Sequence, residues 1–355
     1  MKGKYIYYPV LIFLIYFGLD KTCALPAVKI LTQSDAPYLY FEYKTELLDE
    51  LEGVWKANQA KPPAERKKIF VILGSSRLMY FSYPQFQRGY PDWEMFNFSA
   101  PVTAPAYYNY ILERILDRGI KPDYVLLEAD PFQFNEGSNA FVRSNLAYSF
   151  DFRFVFSHLS LFKTDEISTF LAKNLFSGFK YPPDPEAFFA RISDDNNRML
   201  VAFRKFDEFQ RANRGCALSI IPRENWFERD FPRLQGTSIM TIGWLYSNYK
   251  LSYRQFVFLD NTLRLAKENG VKLVLIRPQV SRPMDALMMS DPKLSEKLAK
   301  WDERLRTLIQ PYGSNFLDLR TRQDFFCNTY VDGSHMALDC YPPLLTVVMR
   351  NYYGM

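Results

Sequence analysis

Histidine is nearly missing from this chain: among 355 residues there are two, His158 and His335. That scarcity excludes metal centres built on several imidazoles. The four cysteines form no Cys-x-x-Cys pair, which excludes zinc ribbons and fingers. Neither Gly-x-Gly-x-x-Gly nor Gly-x-x-x-x-Gly-Lys-Ser/Thr occurs, so the common dinucleotide and nucleotide cradles are absent. Charge of one sign is also in short excess: 44 Lys and Arg against 39 Asp and Glu leave +5, spread along the chain. A diffuse balance of that kind argues against a nucleic-acid partner. No metal and no cofactor is expected. What the chain does have is apolar bulk: 48% hydrophobic and 17% aromatic residues. A chain this long hides roughly three quarters of its unfolded surface and needs no disulfide scaffold. Aromatics at this level first of all fill a core.

The amino terminus has Lys2 and Lys4, an apolar run from Tyr5 to Leu19, then Asp20 and Lys21. A charged start before an apolar centre is the pattern of an export signal. No good cleavage site follows, and polar residues sit only at the edges of the run. Residues 1–25 are therefore read as an uncleaved membrane anchor with the main domain extracytoplasmic; a cleaved signal and secretion is the alternative. Export suits a disulfide. Cys327–Cys340 is the favoured pairing of the three possible, with two buried thiols as the competing reading.

Residues 26–66, polar and charged, read as a membrane-proximal spacer. An α/β rhythm starts at Lys68–Gly74, an apolar run suited to a strand buried on both faces. Strands are expected at 94–99, 123–128, 271–277 and 314–319, and helices at 105–118, 253–269, 294–309 and 337–353. Residues 137–250 hold few strand runs and read as a mainly helical insertion. The α/β domain is thus 67–136 plus 251–355.

Ligands of open parallel sheets sit at the carboxyl ends of the strands. There the first strand runs into Gly74-Ser75-Ser76-Arg77, where a hydroxyl can serve as a nucleophile or simply as a helix cap. Near the other end stands Asp332-Gly333-Ser334-His335. A carboxylate three residues before an imidazole can orient it across a glycine turn and stabilise its protonated form. His158 has no such company and reads as structural.

These two blocks resemble those of the SGNH (GDSL-like) hydrolases. More closely, they and the anchor look like membrane-tethered envelope members, relatives of alginate O-acetylation and D-alanyl transfer proteins. They are also similar to a group of uncharacterised leptospiral proteins carrying a domain of unknown function. The resemblance implies a three-layer α/β/α, flavodoxin-like fold with a parallel sheet. It implies Ser76 as nucleophile, His335 as base and Asp332 as its partner. Ser99 stands near the family's oxyanion glycine, and Asp130 opposite its oxyanion asparagine. A carboxylate cannot donate to an oxyanion, so Asn97 or Asn135 are the stand-ins, beside the Ser76 N–H. Arg77, next to Ser76, is a candidate for an anionic substrate group or for an ion pair with a carboxylate, and Asp130 is the second substrate-binding candidate. Arg277 reads as part of a solvated loop. The implied activity is an esterase or O-acyltransferase on an acylated envelope glycan or lipid-linked substrate. The alternative is a catalytically weak, membrane-tethered scaffold of the same fold. No protein partner is indicated.

Overall fold

The computed structural model describes residues 7–34, 37–194, 196–220 and 223–354. Lys2, Lys4 and Tyr5 of the expected anchor lie outside the described residues.

Five parallel strands form one sheet: β1 (Lys68–Leu73), β2 (Trp93–Asn97), β3 (Tyr124–Glu128), β5 (Lys272–Arg277) and β6 (Asn315–Asp318). Their spatial order is β2-β1-β3-β5-β6. A small second sheet pairs β4 (Trp226–Phe227) with β7 (Thr329–Tyr330) antiparallel. The central strands are Val-, Ile-, Leu- and Phe-rich because both faces are covered. Side chains alternate between faces with period two. Ile69, Val71 and Leu73 enter one core; Phe70 and Ile72 enter the other.

The helices run α1 (Tyr7–Thr22), α2 (Pro26–Thr32), α3 (Pro37–Gln59), α4 (Tyr83–Gly89), α5 (Pro105–Asp117), α6 (Phe152–Ser157), α7 (Thr164–Leu175) and α8 (Ser177–Lys180). They continue as α9 (Pro185–Ile192), α10 (Arg198–Ala212), α11 (Phe231–Leu245), α12 (Tyr253–Glu268), α13 (Arg282–Ser290), α14 (Pro292–Ile309) and α15 (Tyr341–Tyr353). Residues of α3, α5, α12 and α14 share the first core, and those of α4 and α15 the second. This is the three-layer α/β/α arrangement. Pro342 and Pro343 sit in the first turn of α15, where missing N–H groups cost nothing.

The expected spacer is corrected. Most of it is α3, whose Phe41, Leu47, Leu48 and Leu51 are buried in the first core. Leu47 and Leu48 stand four and three residues before Leu51, and Phe41 two turns before Leu48, so they form one apolar stripe, hidden in the sequence by interleaved charges. The insertion is mainly helical, but it also supplies β4. Among the described residues no single helix is long and apolar enough to cross a membrane; α1 and α2 pass that test only together, bent by 72°. Cys327 and Cys340 form a disulfide with Cα atoms 5.5 Å apart.

Candidate active site

β1 ends at Leu73, and the chain folds back at once. A Cβ on Gly74 would lie 2.7–2.9 Å from Leu78 side-chain atoms, so only glycine fits this reversal. Ser75 then caps the short turn Ser76–Leu78, its Oγ accepting from the Arg77 N–H at 3.3 Å. Glu128, at the end of β3, accepts from both the Ser75 N–H (2.5 Å) and its hydroxyl (2.8 Å). Of the two serines, Ser75 is the capping one. Ser76 is left at the carboxyl edge of the sheet, and its N–H has no acceptor within the turn.

The structure brings Ser76, His335 and Asp332 together. Ser76 Oγ lies 2.8 Å from His335 Nε2. His335 Nδ1 lies 2.9 Å from both oxygens of Asp332. With the proton on Nδ1 facing the carboxylate, Nε2 is free to accept from the serine. Asp332 is further held by the N–H and hydroxyl of Ser334 (2.8 and 3.0 Å) and the His335 N–H (3.0 Å). Burial opposes ionisation of Asp332. The charge of His335 and these donors outweigh it and hold the carboxyl well below its usual range.

Three features hold this segment. The Cys327–Cys340 disulfide brackets it. Arg223 of the insertion donates to Asp332 Oδ2 at 2.8 Å. Helix α11 presses on it: Thr237 accepts from the Gly333 N–H at 3.0 Å, and a Cβ on Gly333 would meet Ser238 Oγ at 2.2 Å. Gly333 was expected to permit a tight turn. Its φ is not in the left-handed region, so its role is to let α11 approach.

The expected oxyanion residues do not gather here. The Ser99 N–H donates to Asn97 Oδ1 at 2.9 Å. Asn97 Nδ2 donates to the Leu78 carbonyl at 2.8 Å. Asn135 Nδ2 donates to the Leu245 carbonyl, and its Oδ1 accepts from Gly137 and Lys250. All three residues are buried and occupied as loop braces. The loop after β2 instead brings Val102 to the cavity beside Ser76. Val102 has φ 55°, an unusual value for a β-branched residue. The loop is tied to the turn after β1 by Ala100 N–H and Thr103 Oγ1, both donating to the Gly74 carbonyl.

Asp130 is corrected as a substrate residue. Its carboxylate is 2% exposed, 2.6 Å from Arg77 Nη1, and accepts from the Tyr246 hydroxyl at 2.9 Å. Burial raises its pKa, but Arg77, Arg277 and Tyr246 prevail and hold it below the usual value. Arg77 is buried in this pair and stacks over Phe132 at 4.8 Å, with one edge lining the cavity. Arg277 is not in a solvated loop: it is buried, facing Asp318 at 3.6 Å and stacked on Trp301. Glu128, beside this cluster, is pushed up to about 7 by burial, with Arg77 opposing.

The cavity holds about 340 Å³. Ser76, His335 and Asp332 line one side; Met240, Thr241, Trp244 and Leu245 of α11 line another. Arg223, Val102 and the α11 wall were not singled out in the sequence. Ser334 carried a visible signal, a hydroxyl inside the Asp-x-x-His block. Arg223 carried none, being 109 residues from its partner. Among the described residues no cluster of His, Cys, Asp and Glu could hold a metal ion.

A crystal structure of a presumed acylhydrolase from Bacteroides fragilis is similar at 12% identity and a TM-score of 0.36, over 84% of this chain and 94% of that one. No curated protein matches the chain. The family described as a protein of unknown function, DUF1574, matches residues 1–352, and the chain belongs to it.

Proposed function

We propose that this protein is an extracytoplasmic serine esterase or O-acyltransferase of SGNH type. One observation carries the reading: the continuous contact Ser76–His335–Asp332 at 2.8 and 2.9 Å on the wall of an open cavity. Ser76 Oγ attacks the acyl carbonyl while its proton passes to His335 Nε2. Asp332 stabilises the imidazolium that results. Collapse expels the alcohol, which takes the proton from His335 and leaves an acyl group on Ser76. Water or an acceptor hydroxyl then repeats the step in reverse.

The Ser76 N–H is the donor for the oxyanion, in place of Ser99 and the two asparagines, and the Val102 loop borders the same cavity. The apolar α11 wall suits an acyl chain or a sugar's apolar face. Arg77 and Arg223 suit an anionic group on an acylated envelope glycan or lipid-linked substrate. The disulfide fits an oxidising compartment, reached through the amino-terminal segment. The second reading, a scaffold with little catalysis, is favoured by the engagement of Asn97 and Asn135 elsewhere, which leaves backbone donors alone at the oxyanion position.

Hydrolysis of 4-nitrophenyl acetate tests the assignment. Ser76→Ala should lose about 10³-fold or more in kcat/KM. A wild-type rate equal to that of Ser76→Ala would favour the scaffold.

A further inference from the structure

Helix α3 fixes which end of the molecule meets the amino-terminal segment. Lys44 Nζ donates to the carbonyl of Asn97, the last residue of β2, at 2.8 Å. Asn58 exchanges hydrogen bonds with Lys67, just before β1. Helix α3 therefore runs opposite to the strands, from their carboxyl edge to their amino edge. Its residues before Lys44 project about 10 Å past the carboxyl edge at ~1.5 Å each. Helix α2 sits at that projecting end, with Lys29 paired to Glu42 at 2.5 Å. The base of α1 therefore lies at the end of the sheet that carries Ser76 and His335.

Helix α1 has no buried residue, and its apolar side chains are exposed except for half-buried Phe17 near its end. Exposed apolar residues continue around its base. Leu25, Leu175, Phe179, Phe189 and Ile192 are 47–68% exposed. They are fixed there. Asp20 accepts from the Ser177 and Gly178 N–H groups, and Phe17 packs on Phe176, holding α8 to α1. Arg191 donates to the carbonyls of Ile30 and Gln33, holding α9 to α2. The 72° bend makes α2 lie across the axis of α1, and α9 is tied to α2. At the cavity mouth Met240 and Trp244 are exposed as well. A greasy rod whose base is ringed by exposed apolar side chains matches a bilayer surface.

We propose that the carboxyl end of the sheet rests on a lipid bilayer. Helix α1 enters the hydrocarbon, the collar lies in the interfacial layer, and the Ser76 cavity opens onto that layer. Its substrate is an acyl ester presented at the bilayer surface. This last clause rests on the acyl-transfer reading; the docking does not.

The test uses the full chain in vesicles of phosphatidylethanolamine and phosphatidylglycerol containing doxyl-labelled lipid. A nitrobenzoxadiazole label is placed at Ile12→Cys, Phe179→Cys, Phe189→Cys or Lys61→Cys, in a Cys23→Ser background. Positions 12, 179 and 189 should be quenched, and 61, at the amino edge, should not. Quenching at 12 without 179 and 189 would overturn the docking while keeping the anchor. Quenching at 61 would overturn the orientation. The substrate clause has its own readout. Phe179→Asp/Phe189→Asp should cleave 4-nitrophenyl acetate like wild type, but a vesicle-borne fatty-acyl ester about ten-fold slower. Equal rates on the vesicle-borne ester would sink that clause. A wild type that cleaves neither ester would sink the acyl reading with it and leave the quenching result standing.

Discussion

The molecule holds two groupings of serine, histidine and carboxylate, and they differ in what surrounds the imidazole. At the end of α6, His158 Nδ1 lies 3.0 Å from Ser157 Oγ and 3.0 Å from the Phe154 carbonyl. Ser157 Oγ donates to that same carbonyl. Glu113 stands 3.5 Å from Nε2. The ring is wedged against Phe154 and Phe258. Hydroxyl and imidazole both converge on one backbone acceptor, so this is a helix end tidying its polar groups. At the sheet edge the two ring nitrogens are divided: Nε2 faces Ser76 and Nδ1 faces Asp332. A hydroxyl, an imidazole and a carboxylate meet in both places. The Phe154 carbonyl shared by hydroxyl and ring, with the carboxylate 3.5 Å away, sets His158 apart from His335, whose carboxylate is at 2.9 Å beside an open cavity.

That contrast can be broken most severely by removing each imidazole. His335→Ala should lower esterase kcat/KM by about 10⁴-fold. His158→Ala should leave it within about two-fold, with only the modest stability loss of a part-buried side chain. Parallel losses would erase the distinction.

Next in size is Gly333→Ala. The new Cβ would meet Ser238 Oγ at 2.2 Å and its Cα at 2.8 Å, so α11 or the His335 segment must shift. A displacement of this kind should cost about 10²-fold in kcat. Adding Ser238→Gly removes the nearest atom and should recover part of the loss. No recovery would place the fault elsewhere.

Breaking the disulfide with Cys327→Ser/Cys340→Ser should cost about 2–4 kcal/mol of stability in denaturant melts. Hydrogen exchange should rise in the Asp332–His335 segment and stay unchanged around His158. Uniform change would mean the disulfide has no local role.

The smallest effect concerns Glu128. Burial raises its pKa from the ordinary 4.5 to about 7 in the folded state. The stabilisation is therefore complete below pH 4.5 and is lost as pH rises through 7. Wild type should lose about 1–3 kcal/mol between pH 5 and pH 8 on this account. Glu128→Gln should lack that slope in denaturant melts at the two pH values.

Local pattern carried most of the sheet. Ile69–Leu73 and Leu273–Ile276 are continuous apolar runs, and a run hidden on both faces needs no partner information to be recognised. Ser76, Asp332 and His335 were legible because the family blocks are short and self-contained. The misreadings are long-range. Nothing near Ser99 says that its N–H goes to Asn97. Nothing near Gly333 says that α11 will press on it. The stripe on α3 was masked by Lys44, a charged residue buried on the helix face that meets β2, where carbonyls of Asn97 and Gly215 satisfy it. Arg277 looked solvated because its partners Asp318 and Asp130 lie at the ends of other strands. Such pairings exist only after the sheet has brought distant segments together.

Incubation of the full chain with a fluorophosphonate, followed by peptide mapping of the adduct, tests the central assignment most directly. Modification of Ser76 alone, lost in His335→Ala and kept in His158→Ala, is the expected result. An adduct on Ser157, or an adduct on Ser76 that persists without His335, would contradict it.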